Sequence, residues 1–540
     1  MCTCRGFKLL RPPGREALNP AFLEVVDFCL KEAGREPLVA LNDFVHILGV
    51  DDYHHSIQPF VDNPFLPQSY VDKYMFAEDY YQPAKLDTLA YDKMLNKQIF
   101  CAHEPVDFDI DDFYCAVDTV VDRWTSKIGP QPMTSLEAAI SSCDGNSSAG
   151  FPWTLLPGIT TKKELLKSKY ANKFYDWLVR FPKALLEGGY CSAWSIFLKG
   201  ELRPVDKVQS HVSRGISCSD FVTLVWHKVF CSNQHKAVYD RCYDHDFPST
   251  LGCTPFYGGW NLLHAKAFQF GCEKAWCYDF SSWDSRMRPH LHLAYSEISH
   301  SCLDTEGYDD AFCHKVLEAL LDQTLYPLIF HYGDNRRGVL SRGGFFHTPN
   351  QKSGGFATAV GNTSGHEVSL AYAMLHAPDP DYGFLVYSDD GLGECPDANI
   401  DYCETVGPQR FRDLGVVAEP QVGDRYVIDA DDGEFLSARF KHSGGQRIFE
   451  PVNLEKFLAS SLLMKKSSSV VEQFSKVCAL RTLCFGCGED GIEAFRELSA
   501  VASDLLHNFP ELEQFRGCLL TKYKLKQLYY GYESAAPHAV

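Results

Sequence analysis

Two adjacent carboxylates occupy the stretch Val386–Gly391, which reads VYSDDG. Asp389 and Asp390 follow the apolar pair Phe384–Leu385, so the stretch has the pattern of a strand, a tight turn and a second strand. Aspartate and glycine both favour turns, so this pattern has a purely structural explanation. The alternative is that the carboxylates at the tip of the hairpin bind a metal ion.

A second pair of carboxylates, Asp279 and Asp284, begins at the end of the apolar run 275–280, which reads AWCYDF. The aromatic residues of this run predict a short buried strand. Mg²⁺ prefers oxygen ligands, and one or two carboxylates usually hold it together with phosphate oxygens. Asp279 and Asp389 can share cations only if their strands are neighbours. Taken singly, each aspartate is more often a turn or capping residue.

A glycine-rich stretch lies between these two pairs, starting at Ser353 and Gly354 and reading SGGFATAVGNTS. It predicts a loop that leads into a helix. Thr358 and Asn362 are four positions apart and therefore share one face of that helix. Their hydroxyl and amide groups are suited to binding a sugar hydroxyl, although a loop before a core helix explains the stretch equally well.

Four cations fall within sixteen positions, at Lys199, Arg203, Lys207 and Arg214, with Glu201 among them. A triphosphate needs several charge-assisted donors, and such a cluster would supply them. The alternative is a solvated basic surface.

The loop Ser147–Trp153, SSAGFPW, is rich in small residues around Ser148 and Gly150. Such a loop would let a nucleic-acid backbone pass closely. By itself it is also an ordinary loop.

The elements that must position these residues alternate without a regular βαβ rhythm, which favours an α+β fold. Apolar spacing of about 3.6 residues predicts the helices. They are expected at 165–186, 316–325, 367–374, 455–463, 470–480 and 492–506, with a hairpin at 381–394.

The 540 residues carry a net charge of −19, which taken alone argues against a nucleic-acid-binding protein. The charge is uneven, however, because Asp379–Glu434 contains fifteen acidic and three basic residues while Lys199–Arg214 is basic. A local basic channel beside an acidic centre is therefore compatible with the total.

The 21 cysteines show no repeated spacing, which predicts reduced thiols in a cytosolic compartment. Two groups have spacings that zinc would accept, namely Cys478 with Cys484 and Cys487, and His227 with Cys231 and His235. Ordinary core cysteines and buried histidines are the more common explanation. No apolar run reaches the roughly 18 residues that a membrane span requires.

Together and in this order, the segments resemble the motifs of viral RNA-dependent RNA polymerases of the positive-strand picornavirus, calicivirus, astrovirus and sobemovirus-like supergroup. SSAGFPW is similar to motif G, KGELRPVDKV to motif F, DFSSWD to motif A, SGGFATAVGNTSG to motif B and YSDDG to motif C. Phe435–Phe440 falls where the motif E primer grip is expected. The resemblance extends from about residue 147 to 441.

The resemblance implies a closed right hand of fingers, palm and thumb, with an antiparallel palm sheet carrying the SDD hairpin. The expected divisions are an N-terminal extension with fingers and fingertips (1–140), fingers with motifs G and F (141–274), palm with motif A (275–300), a fingers insertion (301–345), palm with motifs B to E (346–445) and a mostly helical thumb (446–540).

The resemblance also implies RNA-templated RNA synthesis, by two-metal nucleotidyl transfer from NTPs to a primer 3′-OH with release of pyrophosphate. Asp279, Asp389 and Asp390 would bind two Mg²⁺ ions, with Mn²⁺ as the alternative ion. The residues expected to contact the incoming ribose are Asp284, Ser353, Gly354, Thr358 and Asn362. Those expected at the triphosphate and base are Lys199, Glu201, Arg203, Lys207 and Arg214. Ser148 and Gly150 would contact the template, and Arg439 and Lys441 the primer.

The sequence departs from the family pattern in two places. Ser388 stands where the family usually has the glycine of Gly-Asp-Asp. Motif D often supplies a lysine that protonates the pyrophosphate, yet no lysine lies between Lys352 and Lys441. Arg425 is the positional substitute, and arginine rarely gives up its proton. The proton donor therefore stays open.

Three other functions are compatible with parts of this pattern. A reverse transcriptase would normally lack the carboxylate at Asp284 and the amide at Asn362. A non-catalytic RNA-binding protein on a polymerase fold would not need intact Asp279 and Asp389. A nucleotidyltransferase that adds untemplated residues would differ in its template dependence.

The expected partners are an RNA template and primer, NTPs, a genome-linked protein primer and other viral replication proteins. The expected location is the host cell cytoplasm, in membrane-associated replication complexes that partners recruit.

Overall fold

The computed structural model describes residues 18–34, 59–331, 344–347, 353–466 and 468–531. The expected divisions 1–140, 301–345, 346–445 and 446–540 therefore extend in part outside the described residues.

A five-stranded antiparallel sheet, here called the central sheet, forms the middle of the protein. Its middle strand, Lys274–Phe280, has Asp390–Glu394 on one side, followed by Phe384–Tyr387 at the edge. On its other side it pairs with two short strands, Ala418–Pro420 and Val427–Asp429. Residues 275–278 are buried because both faces of the sheet are covered, which explains why this run is continuously apolar.

A group of four helices packs beside the central sheet. The helix Thr358–Met374 contacts the strand Phe384–Tyr387 and the helices Ile110–Ile128, Leu293–Ser301 and Ile400–Asp413. Most of its residues are buried, so it is a core element rather than an amphipathic surface helix. It begins nine residues before the stretch 367–374 that its apolar spacing predicted.

A four-stranded sheet lies beside this centre and carries the predicted cation cluster. Trp194–Leu198 pairs antiparallel with Gly215–Cys218 and parallel with Leu328–His331, which in turn pairs with Gly344–His347. Lys199 and Arg214 follow and precede the first two strands, and the amide of Lys199 donates to the carbonyl of Arg214 at 2.8 Å.

The N-terminal segment 59–83, here called the bridging segment, pairs with strands from two distant parts of the chain. Its strand Phe60–Asp62 pairs with Leu463–Lys465, and its strand Tyr81–Pro83 pairs with Leu202–Pro204 beside the cation cluster. Its helix Gln68–Tyr74 packs on the helix Leu454–Leu462, and the Tyr70 hydroxyl lies 3.0 Å from the Ser461 hydroxyl. The bridging segment therefore joins the cation-bearing region to the C-terminal helices.

The C-terminal part is mostly helical, as predicted. Its helices are Leu454–Leu462, Val470–Gly486, Gly488–Asn508 and Lys522–Tyr530. Ser469 and Glu472 form a capping box at the start of the second of these. Ahead of them, the hairpin strands Ala438–Ser443 and Gln446–Pro451 join the strand Glu434–Phe435 in a three-stranded sheet.

The single helix predicted at 165–186 is instead two helices, Lys162–Lys167 and Ala171–Glu187. Ser168 separates them because its hydroxyl donates to the Leu165 carbonyl and accepts from the Tyr170 amide. Serine bonds of this kind compete with the helical backbone. The remaining helices are Pro20–Glu32, Thr88–His103, Leu136–Ser141, Val205–Gln209, Phe221–Tyr239, Gly259–Ala267, Trp283–Arg286 and Asp310–Leu325.

The two cysteine- and histidine-containing groups lie in the core. His227 and His235 lie on the buried face of the helix Phe221–Tyr239, where they hydrogen-bond the hydroxyls of Thr324 and Tyr295 respectively. Within the described residues, no three histidine, cysteine or acidic side chains are grouped so that they could hold a metal ion. None of the described helices combines the length and apolarity needed to cross a membrane.

Candidate active site

The strand register brings the two predicted carboxylate pairs together. Asp390 lies directly opposite Asp279, and Tyr387 lies opposite Asp390, so Ser388 and Asp389 form a two-residue turn. Directly opposed residues in an antiparallel pair project to the same face, with Cβ atoms about 5 Å apart. Glu419, which the sequence reasoning missed, lies opposite Asp279 on the other neighbouring strand. Three carboxylates thus stand side by side, with Asp389 at the turn.

Crowding of these carboxylates favours their protonated forms. Burial, followed by the charge of Asp389, raises the pKa of Asp279 to about 6, although the residue keeps contact with solvent. Burial and the charges of Asp389 and Asp279 raise the pKa of Asp390 to about 7. Burial also raises the pKa of Asp389, and the negative charge of the Asp284 carboxylate raises it further. The guanidinium of Arg214 acts on Asp279 and Asp389 in the opposite direction.

The carboxylate oxygens suit a divalent cation. One oxygen of Asp390, Oδ2, accepts from the Leu436 amide at 3.1 Å. Its other oxygen, Oδ1, is buried without a hydrogen-bond partner among the residues that the structure describes. The Gln421 side chain acts on the carboxyl group to lower its pKa, against the larger effect of burial. A hard cation would satisfy such an oxygen and relieve the repulsion between the carboxylates. Because one or two protein carboxylates suffice for Mg²⁺ when phosphate completes the shell, a closed three-ligand cage is not required.

The turn that carries Asp389 is held from one side by the helix Thr358–Met374. Ser388 adopts φ +58, a left-handed conformation in which glycine is more usual. Its amide donates to the Thr363 hydroxyl at 2.9 Å, and its own hydroxyl accepts from the Asn362 amide at 3.0 Å. Its carbonyl lies 3.0 Å from Nδ1 of His366. Three side chains of one helix therefore offset the backbone strain of a serine at this position.

His366 connects all three chemistry-bearing segments. Since a carbonyl can only accept, Nδ1 of His366 carries the proton and donates to Ser388. Nε2 then accepts from the Tyr278 hydroxyl at 2.8 Å, on the strand that carries Asp279. Burial lowers the pKa of His366 to about 3, so the imidazole is neutral at physiological pH. The sequence reasoning missed His366; its position one helical turn beyond Asn362 was the available signal.

We expect His366→Leu to reduce the rate of nucleotide addition about tenfold or more while changing the KM for NTP little. Leucine removes two hydrogen bonds of about 1 kcal/mol each and leaves the Ser388 carbonyl and the Tyr278 hydroxyl unpaired. Single-nucleotide addition under pre-steady-state conditions measures both quantities. His227→Leu also removes a buried imidazole, but one that bonds Thr324 away from the turn. An equal rate loss in both variants would contradict the assignment.

The predicted sugar-binding residues lie close to the carboxylates. The Ser353 hydroxyl donates to the Asp284 carboxylate. Gly354 has φ +102, and a side chain there would lie 2.1 Å from the Ser217 carbonyl, so only glycine lets this loop pack on the neighbouring strand. The Thr358 hydroxyl donates to the Gly355 carbonyl at 2.8 Å, which closes the loop at the start of the helix. The structure thus gathers these residues around one end of the helix.

The predicted triphosphate-binding residues form a chain of ion pairs. Lys199 lies 2.9 Å from Glu201, and Arg203 lies 3.9 Å from the same carboxylate. Lys207 is exposed and pairs with Asp206 at 3.7 Å, so it faces solvent rather than the cluster. Arg214 is exposed and near enough to lower the pKa of Asp279 and Asp389.

The remaining predicted residues, Arg425, Arg439 and Lys441, each form an ion pair with a glutamate. Arg425 donates to Glu404 at 3.1 Å and is largely exposed, so in this structure its charge is held on the helix Ile400–Asp413. Arg439 pairs with Glu434 at 3.0 Å, and Lys441 pairs with Glu450. Both lie on the hairpin strand Ala438–Ser443 and are partly exposed.

The small-residue loop is anchored by a residue that the sequence reasoning missed. Lys162 is buried, and its ammonium donates to the Ser147 hydroxyl and to the Ser148 carbonyl. Gly150 has φ +73 and packs so closely on the Ser219 carbonyl that a side chain would lie 2.5 Å from it. The loop is therefore fixed against the start of the helix Phe221–Tyr239.

Residues 56–467 match the model of the family described as viral RNA-dependent RNA polymerase. The match covers well over half of the chain, and the chain belongs to this family. In fold, the protein is similar to the Sicinivirus 3Dpol RNA dependent RNA polymerase, with a TM-score of 0.62 and 17% sequence identity over 88% of this chain and 99% of that one. The expected α+β right-hand fold is confirmed.

Viral polyproteins are similar in sequence. The genome polyprotein of Sweet potato mild mottle virus is 24% identical over 400 residues, which are 71% of this chain and 11% of that polyprotein. The genome polyprotein of Triticum mosaic virus is 25% identical over 335 residues, 61% of this chain and 10% of that polyprotein. The chain thus spans about a tenth of the length of these relatives.

Family and fold together identify an enzyme that synthesises RNA on an RNA template from NTPs, in the setting of a positive-strand RNA virus. Neither a reverse transcriptase nor a non-catalytic RNA-binding protein is favoured. Enzymes of this family depend on divalent metal ions, which agrees with the oxygen-rich site described above.

Proposed function

We propose that this chain extends an RNA primer by two-metal nucleotidyl transfer, with Mg²⁺ as the ion and Mn²⁺ as a substitute. The observation that carries the proposal is the strand register, which sets Asp390 opposite Asp279 and places Asp389 in the adjoining turn. Asp279 and Asp389 would hold the ions, with Oδ1 of Asp390 available to one of them. When bound, such ions activate an attacking hydroxyl and neutralise a departing pyrophosphate.

The surrounding residues would bind and orient the nucleotide. Arg203, Lys199 and Arg214 supply the positive charge that the triphosphate needs, with Glu201 holding the first two in place. Asp284 and Asn362 would face the ribose, whose 2′-hydroxyl distinguishes RNA from DNA building blocks. Ser353, Gly354 and Thr358 shape the loop that supports them. Lys207 would join the cluster only by leaving Asp206.

Two further groups of residues would contact the primer and the template. Arg439 and Lys441 lie on the strand Ala438–Ser443. In the turn just before this strand, the Leu436 amide donates to the Asp390 carboxylate. This contact links the strand to the carboxylates and supports a role for both cations in holding the primer end. Ser148 and Gly150 lie in the anchored loop, which would guide the template.

Arg425, in the position observed, would not be the group that protonates the pyrophosphate. Its guanidinium is held on Glu404, and arginine side chains do not act as proton donors in proteins. If Arg425 leaves Glu404 during the reaction, it would stabilise charge without donating a proton.

The sequence relatives are polyproteins, which supports a setting among other viral replication proteins. We propose that the chain works with them in the host cell cytoplasm, at membranes to which partners recruit it. A genome-linked protein is the proposed primer when no RNA primer is present.

The test is primer extension by the purified chain with Mg²⁺ and four NTPs on an RNA template of defined sequence. A product whose length and sequence follow the template is expected. Omitting the template separates this function from untemplated addition, and replacing NTPs with dNTPs separates it from reverse transcription. Extension that ignores the template, or that prefers dNTPs, would overturn the proposal.

A groove of about 830 Å³ beside the anchored loop supports the proposed template path. Its lining includes three exposed lysines, Lys163, Lys167 and Lys169, and one exposed carboxylate, Glu164. Lys163 and Lys167 lie one helical turn apart. Phosphates passing this groove would be neutralised by the lysines, as in other RNA-binding surfaces.

We expect Lys163→Glu with Lys167→Glu to weaken binding of single-stranded template about five- to tenfold and to lower the slope of log affinity against log salt by about 0.7 per lost phosphate contact. Fluorescence anisotropy over a salt series measures both. Lys183→Glu is the control, because this lysine is exposed on the helix Ala171–Glu187 outside the groove. Equal losses in the two proteins would indicate a general charge effect.

A further inference from the structure

The amide of Asn362 is satisfied at one end only. Its Nδ2 donates to the Ser388 hydroxyl at 3.0 Å. Its Oδ1 is buried without a hydrogen-bond partner among the described residues, and the residue is 2% exposed. A buried acceptor without a donor is costly, so the arrangement is completed when a ligand brings a hydroxyl or amine to Oδ1.

The Ser388 hydroxyl decides which end of that amide is left free. An asparagine amide presents either an acceptor or two donors, depending on its rotation, and neighbouring groups select the rotation. Ser388 is also fixed, because its amide bonds Thr363 and its carbonyl bonds His366. The Ser388 side chain also hydrogen-bonds the adjoining Asp389 carboxylate. Because a carboxylate only accepts, the hydroxyl gives its proton to Asp389 and accepts from Asn362, so the free end of Asn362 is held as an acceptor.

We infer that Ser388 is a specificity-determining residue, which orients Asn362 so that Oδ1 accepts a hydrogen bond from the 2′-hydroxyl of the incoming nucleotide. The inference rests on the proposed function, in which Asn362 faces the ribose. A 2′-deoxynucleotide has no such donor and leaves Oδ1 unpaired. Sites built to bond a hydroxyl reject analogues that lack it for this reason. A glycine in place of Ser388 has no hydroxyl to hold the amide.

The experiment compares kcat/KM for ATP and dATP in single-nucleotide addition by the full chain on one primer–template. We expect Ser388→Ala to lower the ratio of the two values about three- to tenfold, the effect of one neutral hydrogen bond. Ser388→Gly is the second variant, because glycine adopts φ +58 without strain and also lacks the hydroxyl. Both variants should lose selectivity alike, since the hydroxyl and not the backbone strain is responsible.

Two further variants separate this role from simple support of the turn. Thr363→Val removes the acceptor of the Ser388 amide and should slow addition of both nucleotides without changing their ratio. Asn362→Ala should lower the ratio at least as far as Ser388→Ala, and the double variant should lower it no further, because the two residues act as one unit.

An unchanged ratio in Ser388→Ala and Ser388→Gly would overturn this inference alone, as would additive effects of the Ser388 and Asn362 substitutions. Equal use of ATP and dATP by the unmodified chain would overturn the proposed ribonucleotide function together with it. The ATP and dATP rates of the unmodified chain thus test the proposed function, and the variants then test the role of Ser388.

Discussion

Replacing Asp389 with alanine is expected to reduce templated nucleotide addition about a thousandfold or more. Removal of a metal-binding carboxylate forfeits several kcal/mol of transition-state stabilisation, and each 1.4 kcal/mol is a factor of ten in rate. The neighbouring carboxylates of Asp279 and Asp390 lie on a strand pair rather than in the turn, so they do not take its place. The measurement is the rate of single-nucleotide addition with Mg²⁺ at saturating NTP.

Asp429→Asn is the matched control, because Asp429 is an exposed aspartate on the same central sheet. It pairs with Lys274 at the far end of the middle strand, and such exposed ion pairs contribute little to stability. We expect near-normal activity from this variant and a similar melting temperature in both proteins. Retained activity in Asp389→Ala, with Mg²⁺ or Mn²⁺, would show that the SDD hairpin is an ordinary turn.

Activity is expected to fall steeply below neutral pH, because protons and metal ions compete for the same carboxylates. The pKa of Asp279 is raised to about 6 and that of Asp390 to about 7, so both bind protons as the pH is lowered through this window. When a cation must displace two protons, its apparent affinity falls by up to about a hundredfold per pH unit below both values. Higher Mg²⁺ concentration should move the acid limb to lower pH.

The other charged groups facing these carboxylates modulate the profile without reversing it. Asp389 and Glu419 raise the pKa of Asp279, while Arg214 lowers it. Asp390→Asn removes the group with the higher pKa and should make the acid limb less steep. A profile that does not respond to Mg²⁺ concentration would contradict the competition.

The same pKa values set the sign of the stability change in metal-free protein. Both lie above the ordinary value of 3.8, so the folded chain binds more protons than the unfolded chain between about pH 4 and pH 7. Its stability therefore decreases as the pH rises through this window. Added Mg²⁺ should raise the melting temperature more at pH 8 than at pH 5, because ionised carboxylates bind it more tightly.

The strand, the hairpin tip and the helical face that carry the site could be predicted from the sequence, because these patterns depend on neighbouring residues. The apolar run before Asp279 predicted a buried strand, and Tyr387-Ser388-Asp389-Asp390 predicted a hairpin tip, since strand and turn preferences depend on residues a few positions apart. Thr358 and Asn362 were placed on one helical face by spacing alone. The order of these segments also predicted the family, which the comparison with known proteins confirmed.

Tertiary structure alone decided how these local pieces meet. A shift of one residue between Lys274–Phe280 and Asp390–Glu394 would turn Asp390 to the opposite face, and only packing on both sides of the sheet sets that register. Pairing of the strand Ala418–Pro420 places Glu419 opposite Asp279. Packing of the helix Thr358–Met374 against the turn places His366 at the Ser388 carbonyl. The break at Ser168 depended on two hydrogen bonds that apolar spacing does not encode.

Ser388 shows most clearly how sequence-based prediction and tertiary structure contribute differently. In the sequence it is a small residue that can replace glycine in a turn. In the structure its amide, hydroxyl and carbonyl are bonded by Thr363, Asn362 and His366. Residue types and their local spacing determined which chemistry the chain carries. The packing of one buried helix against one hairpin decided which atoms perform it, because hydrogen-bond partners distant in sequence are chosen only when the core closes.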